Sequence, residues 1–172
     1  PMAKKSQYNS DAPLAICEDL EESGYDVQII SSNLEMIREP VGFPTDLANS
    51  IPAILISKKI GLDSIAFGTV MESAFGIGHE KFVDYGNGAH WKFFGNLFRG
   101  AGLDLSMPTI GVSEVGTAII VNKSPLGVVS QSCIRGRIGE PCLRCWKCFR
   151  KELLGYSLGF FEDSGLLEML SS

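Results

Sequence analysis

The sequence predicts an α/β fold in which a parallel sheet is covered by helices. Two observations lead to this prediction. Short apolar runs alternate along the chain with segments whose apolar residues recur at helical spacing, which is the pattern of βα units. The 172 residues are 45% hydrophobic and 20% charged, a balance typical of a globular domain with a buried core. Disordered and fibrous chains are excluded, the latter because 19 glycines and 8 prolines are too few.

The first predicted elements are a helix over Asp11–Ser23 and a strand over Tyr25–Ile30. The helix follows from apolar residues on one face and from Gly24, a residue type that commonly ends helices. After a loop with several prolines and glycines, a second helix is predicted over Ser50–Lys59. Because its apolar residues surround most of the helix axis, we expect the second helix to be buried.

A strand over Ser64–Phe67 follows and runs into Gly68. In parallel sheets, ligands bind beyond the carboxyl ends of the strands, so the segment Gly68–Ser73 is the expected ligand edge. Glu72 is the best-placed carboxylate there. It is either a site residue or a negative charge that stabilises a helix N-terminus, and both interpretations stay open.

The middle of the chain is the least regular part. Helical pieces over His79–Tyr85 and His90–Arg99 are separated by Gly86-Asn87-Gly88, a strong helix breaker. Neither histidine that begins these pieces has metal-ligand spacing or a visible partner, so neither is predicted to be catalytic. The second piece carries an aromatic stripe over Trp91–Phe98, which indicates a core or oligomer face more often than a substrate platform.

The last predicted elements lie on either side of a cysteine-rich segment. A strand is expected over Leu103–Met107, and Ser113 is expected to cap a helix over Glu114–Val121. The segment Leu126–Ser130 then leads into the cysteines. A helical tail is expected from Phe149 onwards. Glycines break the tail, namely Gly155, Gly159 and Gly165.

Four of the five cysteines fall within sixteen residues, at Cys133, Cys142, Cys145 and Cys148. Thiolates can surround one Zn²⁺ at about 2.3 Å, and two-residue gaps turn consecutive sulfurs towards the same centre. Four sulfur ligands leave no position for water, so the sequence predicts a structural zinc site rather than a catalytic one. The alternative is a set of reduced core cysteines. Cys17 lies apart on the apolar face of a helix and is expected in the core.

Basic residues surround these cysteines and make up six of the fifteen in the chain: Arg135, Arg137, Arg144, Lys147, Arg150 and Lys151. One interpretation is that these cations offset the formal charge that four thiolates leave on a zinc ion. The other is that some of them face an anionic substrate, a phosphate or an RNA strand. The sequence leaves both interpretations open.

Charge and hydropathy exclude several classes of protein. The formal net charge of −5 argues against non-specific binding to duplex nucleic acid. The apolar run Ile51–Ile60 is too short for a membrane span, and two lysines interrupt it. Pro1–Lys5 leads into polar residues, so we expect no secretory signal. Clustered cysteines without such a signal are typical of a metal site in a reducing compartment, and a cytoplasmic protein is therefore predicted.

The cysteine segment resembles a known zinc signature. The run Ser132–Arg150, read as Ser-Cys-x8-Cys-Leu-Arg-Cys-Trp-Lys-Cys-Phe-Arg, is similar to the signature near the C-terminus of the 7-cyano-7-deazaguanine synthase family of PP-loop ATPases. Upstream, Ile65–Gly68 followed by Met71-Glu72-Ser73 looks like that family's strand-Gly-x-x-x-Glu element. Asp104–Val121 looks like its strand-Pro-helix element. The resemblance spans roughly residues 23–153.

This resemblance implies a Rossmann-like, HUP-type sheet. Residues 1–131 would form an incomplete PP-loop-type α/β domain, with residues 132–172 as a zinc-binding segment packed on it. The implied activity is that of an ATP-dependent ligase in 7-deazaguanine or queuosine biosynthesis. Such an enzyme adenylates a carboxylate and then displaces AMP with ammonia or an amine. ATP with Mg²⁺ would be the cofactor, with the adenine near Gly68 and with Glu72 close to the substrate.

The sequence also departs from the family's pattern. It contains no Ser-Gly-Gly-x-Asp-Ser loop, the element that cradles the ATP phosphates. Pro44-Thr45-Asp46 replaces a Gly-Arg-Asn element, and Glu114 stands where a lysine is expected. Each change removes positive charge or backbone donors from a phosphate site. Gly76–Gly102 is longer than in the family. We therefore expect ligase activity only where another segment or chain supplies the phosphate loop.

Two other functions fit the same residues. A degenerate relative could keep the fold and the zinc site as a non-catalytic binding or interaction module, contacting a partner through Trp91–Phe98. RNA binding through the basic cysteine segment is a weaker third hypothesis, and it predicts affinity that falls steeply with salt. The expected partners are thus a nucleotide or deazaguanine-like small molecule, a chain carrying the phosphate loop, or a second copy of this chain. A membrane is not expected, and nucleic acid is the least expected partner.

Overall fold

The computed structural model describes residues 10–37, 39–42, 47–78, 80–133 and 135–161, together with Leu166 and Met169. These residues form two compact units, of which one is Ser50–Ile120 and the other combines the residues before Ser50 with those after Ile120. The predicted boundary at 131/132 stays a prediction.

The elements in chain order are α1 (Asp11–Glu22), α2 (Ile51–Ile60), β1 (Ser64–Ala66), α3 (Met71–Phe75), α4 (Ala89–Gly100), β2 (Asp104–Ser106), α5 (Glu114–Lys123) and α6 (Trp146–Ser157). The predicted mixed α/β class is confirmed.

The sheet lies in the unit Ser50–Ile120 and pairs β1 with β2 in parallel, so that Ser64 lies opposite Asp104. Parallel strands need a crossover, and here the connection contains α3 and α4. Over the described residues the sheet has these two strands. α4 packs against β2, and Phe98 on α4 meets Phe67 edge to face with ring centroids 6.3 Å apart. Phe98 and Leu103 are buried and form the core of this unit.

Several helix ends lie where the sequence places them. Gly24 and Gly61 follow α1 and α2 with φ angles of +86° and +71°, the left-handed conformation that glycine adopts without strain. At the start of α5, the backbone N–H of Gly116 donates to the Ser113 hydroxyl at 3.0 Å. Ser113 therefore caps α5 as predicted.

Two predicted elements are wrong. Residues 25–30 pair with no strand of the described chain, because they lie outside the unit that contains the sheet, and Tyr25 and Ile29 are exposed. Residues 80–85 form bends and irregular chain rather than a helix, and the Val83 N–H donates to the Phe75 carbonyl at 2.8 Å instead of to a helical partner. His79, the predicted start of that helix, lies outside the described residues.

The predicted burial of α2 is also wrong. Its buried residue is Ser57, whose hydroxyl donates to the Ile54 carbonyl, whereas Leu55 is 80% exposed. A sheet of two short strands offers too little apolar surface to cover another helix on all sides. No helix among the described residues combines the length and the apolar character needed to cross a membrane.

α6 begins earlier and continues further than predicted. It starts at Trp146 rather than Phe149, and it runs through Gly155 without a break. Gly155 is buried, and a Cβ at that position would overlap the ring of Phe161. Glycine is therefore present there because another side chain needs the space, not because the helix ends. Gly159 does follow the helix, with φ of +70°, while Gly165 lies outside the described residues.

Candidate metal centre

The four clustered cysteines bring their sulfurs together. The Sγ atoms of Cys133, Cys142, Cys145 and Cys148 all lie within 4.8 Å of one another, and all four residues are free thiols. Cys148 Sγ is 3.5 Å from Cys145 Sγ and 3.8 Å from Cys142 Sγ. A tetrahedron of sulfurs about 2.3 Å from a central Zn²⁺ has edges of about 3.8 Å. The four cysteines are therefore spaced so that they could hold one metal ion.

Cys133 is held by the loop that follows it. Its Sγ accepts hydrogen bonds from the backbone N–H groups of Gly136 and Cys142, at 3.2 and 3.3 Å. The chain approaches itself so closely here that a Cβ on Gly136 would overlap the carbonyl of Glu140. Such N–H donors orient a thiolate ligand and stabilise its charge. Cys133 is only 5% exposed, so its sulfur is fixed and shielded from water.

Gln131, which is not part of the cysteine pattern, stabilises the same loop through its side chain. Arg137 and Glu140 form an isolated antiparallel bridge, and Gly139 turns the chain between them with φ of +68°. The Gln131 side chain accepts from the Gly139 N–H at 3.0 Å and donates to the Cys133 carbonyl at 2.9 Å. Sequence reasoning missed Gln131 and Gly136. Nothing in their local sequence indicates these contacts, which span up to eight residues.

Two further sulfurs of the cluster are positioned by the start of α6. Cys145 is the residue that precedes the helix, and Cys148 lies in its first turn and is 4% exposed. Leu143, between Cys142 and Cys145, has φ of +49°, a conformation that costs a non-glycine residue about 1 kcal/mol. The chain bends at this residue, between the two ligands. The cluster therefore joins a hairpin on one side to a helix N-terminus on the other.

The surroundings of the sulfurs set different pKa values. Burial raises the pKa of Cys133, but the backbone N–H groups of Cys142, Arg135 and Gly136 outweigh burial and bring it down to about 6. A backbone hydrogen bond from Cys148 lowers the pKa of Cys145, whereas burial raises the pKa of Cys148 to about 12. These surroundings favour the thiolate form of Cys133 and the thiol form of Cys148. A metal ion would displace the Cys148 proton on binding.

The remaining predicted site residues belong to the unit Ser50–Ile120. Gly68 follows β1, is exposed, and would have room for a side chain. Loops after β1 and β2 are joined, since the Thr109 hydroxyl donates to the Thr69 carbonyl at 3.0 Å. Glu72 lies in the first turn of α3, and both of its carboxylate oxygens accept from the backbone N–H of Glu114, at 2.9 and 3.0 Å. Its carboxylate therefore caps α5.

The remaining residues are those that the sequence singled out as weaker candidates, and the structure gives the contacts and burial of each described one. The Tyr85 hydroxyl and His90 Nδ1 are 3.2 Å apart, and the His90 ring packs near Phe94. Of the stripe Trp91–Phe98, only Phe98 is buried. An open depression of about 320 Å³ runs beside this helix, with Trp91 in its lining. Cys17 is half-buried on α1. Pro44-Thr45-Asp46 lies outside the described residues.

Comparison with known proteins gives one partial match. Residues 93–161 match the model of DUF6395, described as a family of unknown function. The matched segment contains most of α4, β2, α5, all four clustered cysteines and α6. Gly68 and Glu72 lie outside it. Comparisons with curated proteins and with solved structures each gave no match.

Proposed function

We propose that Cys133, Cys142, Cys145 and Cys148 bind one Zn²⁺ that holds the loop and α6 together. The observation that carries this proposal is the spacing of the sulfurs, which at 3.5 and 3.8 Å agrees with the edges of a ZnS₄ tetrahedron. Four sulfurs fill all four coordination positions. The metal therefore has a structural role, because no position is left for a water molecule or a substrate.

The zinc proposal is tested by replacing one ligand. Cys145→Ser should lose the bound zinc and expose the segment after Val121 to protease, because the remaining three sulfurs cannot complete the tetrahedron. Elemental analysis and limited proteolysis measure both effects, and Cys17→Ser is the matched control that should change neither. Unchanged metal content in Cys145→Ser would refute the site. If elemental analysis finds iron instead of zinc, the four-cysteine site is supported but the proposed metal is wrong, since four sulfurs also suit iron.

For the activity, we propose that the protein is, or is part of, an ATP-dependent ligase of the 7-cyano-7-deazaguanine synthase type. The sequence resemblance implies it, and the arrangement of the unit Ser50–Ile120 is compatible with a HUP-type, Rossmann-like sheet. Its parallel strands are linked by a helical crossover, and the loops after both strands lie together near the exposed Gly68. Ligands of α/β sheets bind at that edge.

The proposed reaction has two steps. A carboxylate oxygen of a 7-deazaguanine-type substrate attacks the α-phosphorus of ATP, and pyrophosphate leaves. Ammonia or an amine then attacks the acyl carbon, and AMP leaves with the former carboxylate oxygen, so that an amide bond forms. In this proposal Gly68 lets the adenine approach the backbone, and Mg²⁺ accompanies the phosphates. A phosphate loop from another segment or chain is required.

The second candidate is a zinc-containing relative that acts as a non-catalytic binding or interaction module. The observation that favours it is the position of Glu72, whose two carboxylate oxygens are both engaged by the Glu114 N–H. A carboxylate used as a helix cap is held away from substrate chemistry. Glu114 itself adds a negative charge where phosphates would have to bind.

Nucleotide titration separates the two candidates. ATP with Mg²⁺ is titrated calorimetrically into the protein, alone and together with any chain that co-purifies with it. The ligase proposal expects binding with the phosphate loop present, and AMP and pyrophosphate on addition of a 7-deazaguanine carboxylate and ammonium. Gly68→Val should abolish binding, whereas Gly86→Val, also in open space, should not. No ATP binding under either condition would refute the ligase proposal and favour the binding module.

A further inference from the structure

The first turn of α6 presents a tryptophan to solvent beside the cysteine cluster. Trp146 is 68% exposed, although tryptophan carries the largest apolar side chain. Its ring stacks on Phe149 with centroids 5.3 Å apart and planes 24° from parallel. Phe149 is half-buried and about one helical turn away, so its ring supports one face of the indole. The result is a flat aromatic surface whose outer face is free.

Exposed cations lie in both chain segments that the cysteine cluster brings together. Lys147 follows Trp146 and Arg144 precedes it by two residues, while Arg135 and Arg137 belong to the loop after Cys133. Because all four sulfurs lie within 4.8 Å of one another, both segments border the same small region. The four cationic side chains are exposed and make no ion pair or hydrogen bond with the part of the chain that the structure describes.

The chain segment around the cysteines carries a net positive charge, whereas the whole chain is negative. Residues 133–151 contain six basic residues and a single acidic one, Glu140, whereas the whole chain has a net charge of −5. A zinc ion with four thiolates would contribute a formal charge of −2, which leaves the region positive. At physiological salt, charges more than about 8 Å apart are largely screened. Attraction of anions by this region therefore depends on the charges close to it rather than on the net charge of the whole chain.

We propose that this surface, made of the Trp146–Phe149 stack and the cations Arg135, Arg137, Arg144 and Lys147, binds single-stranded nucleic acid. An unpaired base stacks on the free face of Trp146, and the cations contact the phosphates on either side of that base. Stacking of a base on an aromatic side chain tolerates any sequence and strengthens binding markedly. A duplex cannot bind in this way, because its bases are stacked on one another.

The nearest alternative is that the cations only balance the thiolates. That explanation needs a charge of +2 and no aromatic side chain, whereas the region has more cations than this and a stacked, exposed indole. A protein partner could also cover Trp146. The cations favour a polyanion, because a typical protein interface is depleted of charges at its centre.

The test uses the full zinc-loaded chain and labelled twelve-nucleotide strands of uridine RNA and thymidine DNA. Fluorescence anisotropy should show binding that weakens about fiftyfold between 50 and 200 mM salt, the dependence expected for about four phosphate contacts on a single strand. The two strands distinguish RNA from DNA as the ligand. The same thymidine strand annealed to its complement should bind at least tenfold more weakly.

Variants locate the binding surface. Trp146→Ala should weaken binding about tenfold or more, and Trp146→Phe should restore most of the affinity, because phenylalanine also stacks. Arg144→Glu and Lys147→Glu should each weaken binding and reduce the salt dependence. The matched controls are Phe93→Ala and Lys58→Glu, which change an exposed aromatic residue and an exposed cation in the other unit and should bind normally.

A second measurement does not depend on altering the surface. In a Trp91→Phe background Trp146 is the remaining tryptophan, and its fluorescence should be quenched as an unlabelled strand binds. Zinc content is measured for every variant, so that loss of the metal site is separated from loss of contacts. No anisotropy change and no quenching at 50 mM salt would overturn the proposal, as would unchanged affinity in Trp146→Ala. Neither result would bear on the ATP titration.

Discussion

At the scale of single residues, the hydrogen bonds to Cys133 Sγ favour the thiolate form that binds a metal ion. Cys133 Sγ accepts two backbone N–H groups, and its pKa is about 6 although burial works in the opposite direction. Cys148 shows the effect of burial without enough compensating donors, since its pKa rises to about 12. Protons therefore compete with the metal less at Cys133 than at Cys148, which makes metal binding depend on pH.

We expect zinc affinity to fall as the pH is lowered, and to fall more steeply below pH 6. Above that value Cys133 is already a thiolate, whereas Cys148 must lose a proton to the metal. Below pH 6 the protonation of Cys133 adds a further proton for zinc to displace. Competition with a chromophoric chelator between pH 5 and 8 measures this slope. A constant slope across pH 6 would contradict the assigned role of the N–H donors.

Gly136→Ala tests the close approach of the chain around Cys133. A Cβ at this position would overlap the Glu140 carbonyl and lie 2.9 Å from the Cys142 nitrogen, so the loop must open and the N–H···S hydrogen bonds must lengthen. We expect zinc affinity to fall by about 10- to 100-fold, as for other residues that orient metal ligands. Gly95→Ala, in open space on α4, is the control and should leave affinity unchanged. Equal affinities would show that the loop adapts freely.

At the scale of elements, one side chain connects the loops that follow the two strands. Glu72 extends from α3 to the first N–H of α5, where its negative charge also suits the positive end of the helix dipole. The Met71 N–H donates to the Val112 carbonyl at 3.0 Å beside it. Together these contacts fix where α5 starts relative to α3.

Glu72→Ala should destabilise the protein by about 1 kcal/mol, the usual effect of losing a helix cap. Glu72→Gln should lose less, because the amide oxygen still accepts a hydrogen bond. The midpoint of urea unfolding at constant m measures both, with Glu80→Ala as an exposed control. Stability unchanged in Glu72→Ala would remove the capping role and return Glu72 to the candidates for substrate contact.

The elements differ in how far the sequence determines them. Gly61 and Ser113 mark helix ends correctly because their effect is local and needs no distant partner. The strand over 25–30 could not be excluded from its own residues, since a strand forms only beside another strand. The cysteines could be predicted because the pattern contains all four ligands. Gln131 could not, because its role depends on where the loop returns.

At the scale of the whole molecule, the proposed metal site and the proposed nucleotide site belong to different compact units. The cysteines lie in the unit that contains α1 and α6, and Gly68 lies in the unit Ser50–Ile120. Each unit has its own buried residues, with Cys133 and Cys148 in one and Phe98 and Leu103 in the other. Loss of the metal should therefore affect the two units differently.

Chelation tests this independence. Removal of zinc with excess EDTA should expose residues 133–157 to protease, because the loop and the start of α6 then lose their common anchor. Residues 50–120 should remain protected, since none of the four clustered cysteines lies among them. Mass spectrometry of the fragments measures both outcomes, and EDTA saturated with zinc is the control. Cleavage at equal rates in both units would show that they unfold together.

The short distance along the chain between the four cysteines has a consequence for the order of folding. The loop that the cluster closes runs from Cys133 to Cys148, whereas the pairing of Ser64 with Asp104 closes a loop of forty residues. The entropy lost on closing the longer loop is greater by about 0.8 kcal/mol. During synthesis the sheet can nevertheless form first, because both strands leave the ribosome before the first of these cysteines. Metal capture then follows formation of the sheet, and a newly made molecule in a zinc-poor cell would accumulate with its sheet formed and α6 unanchored.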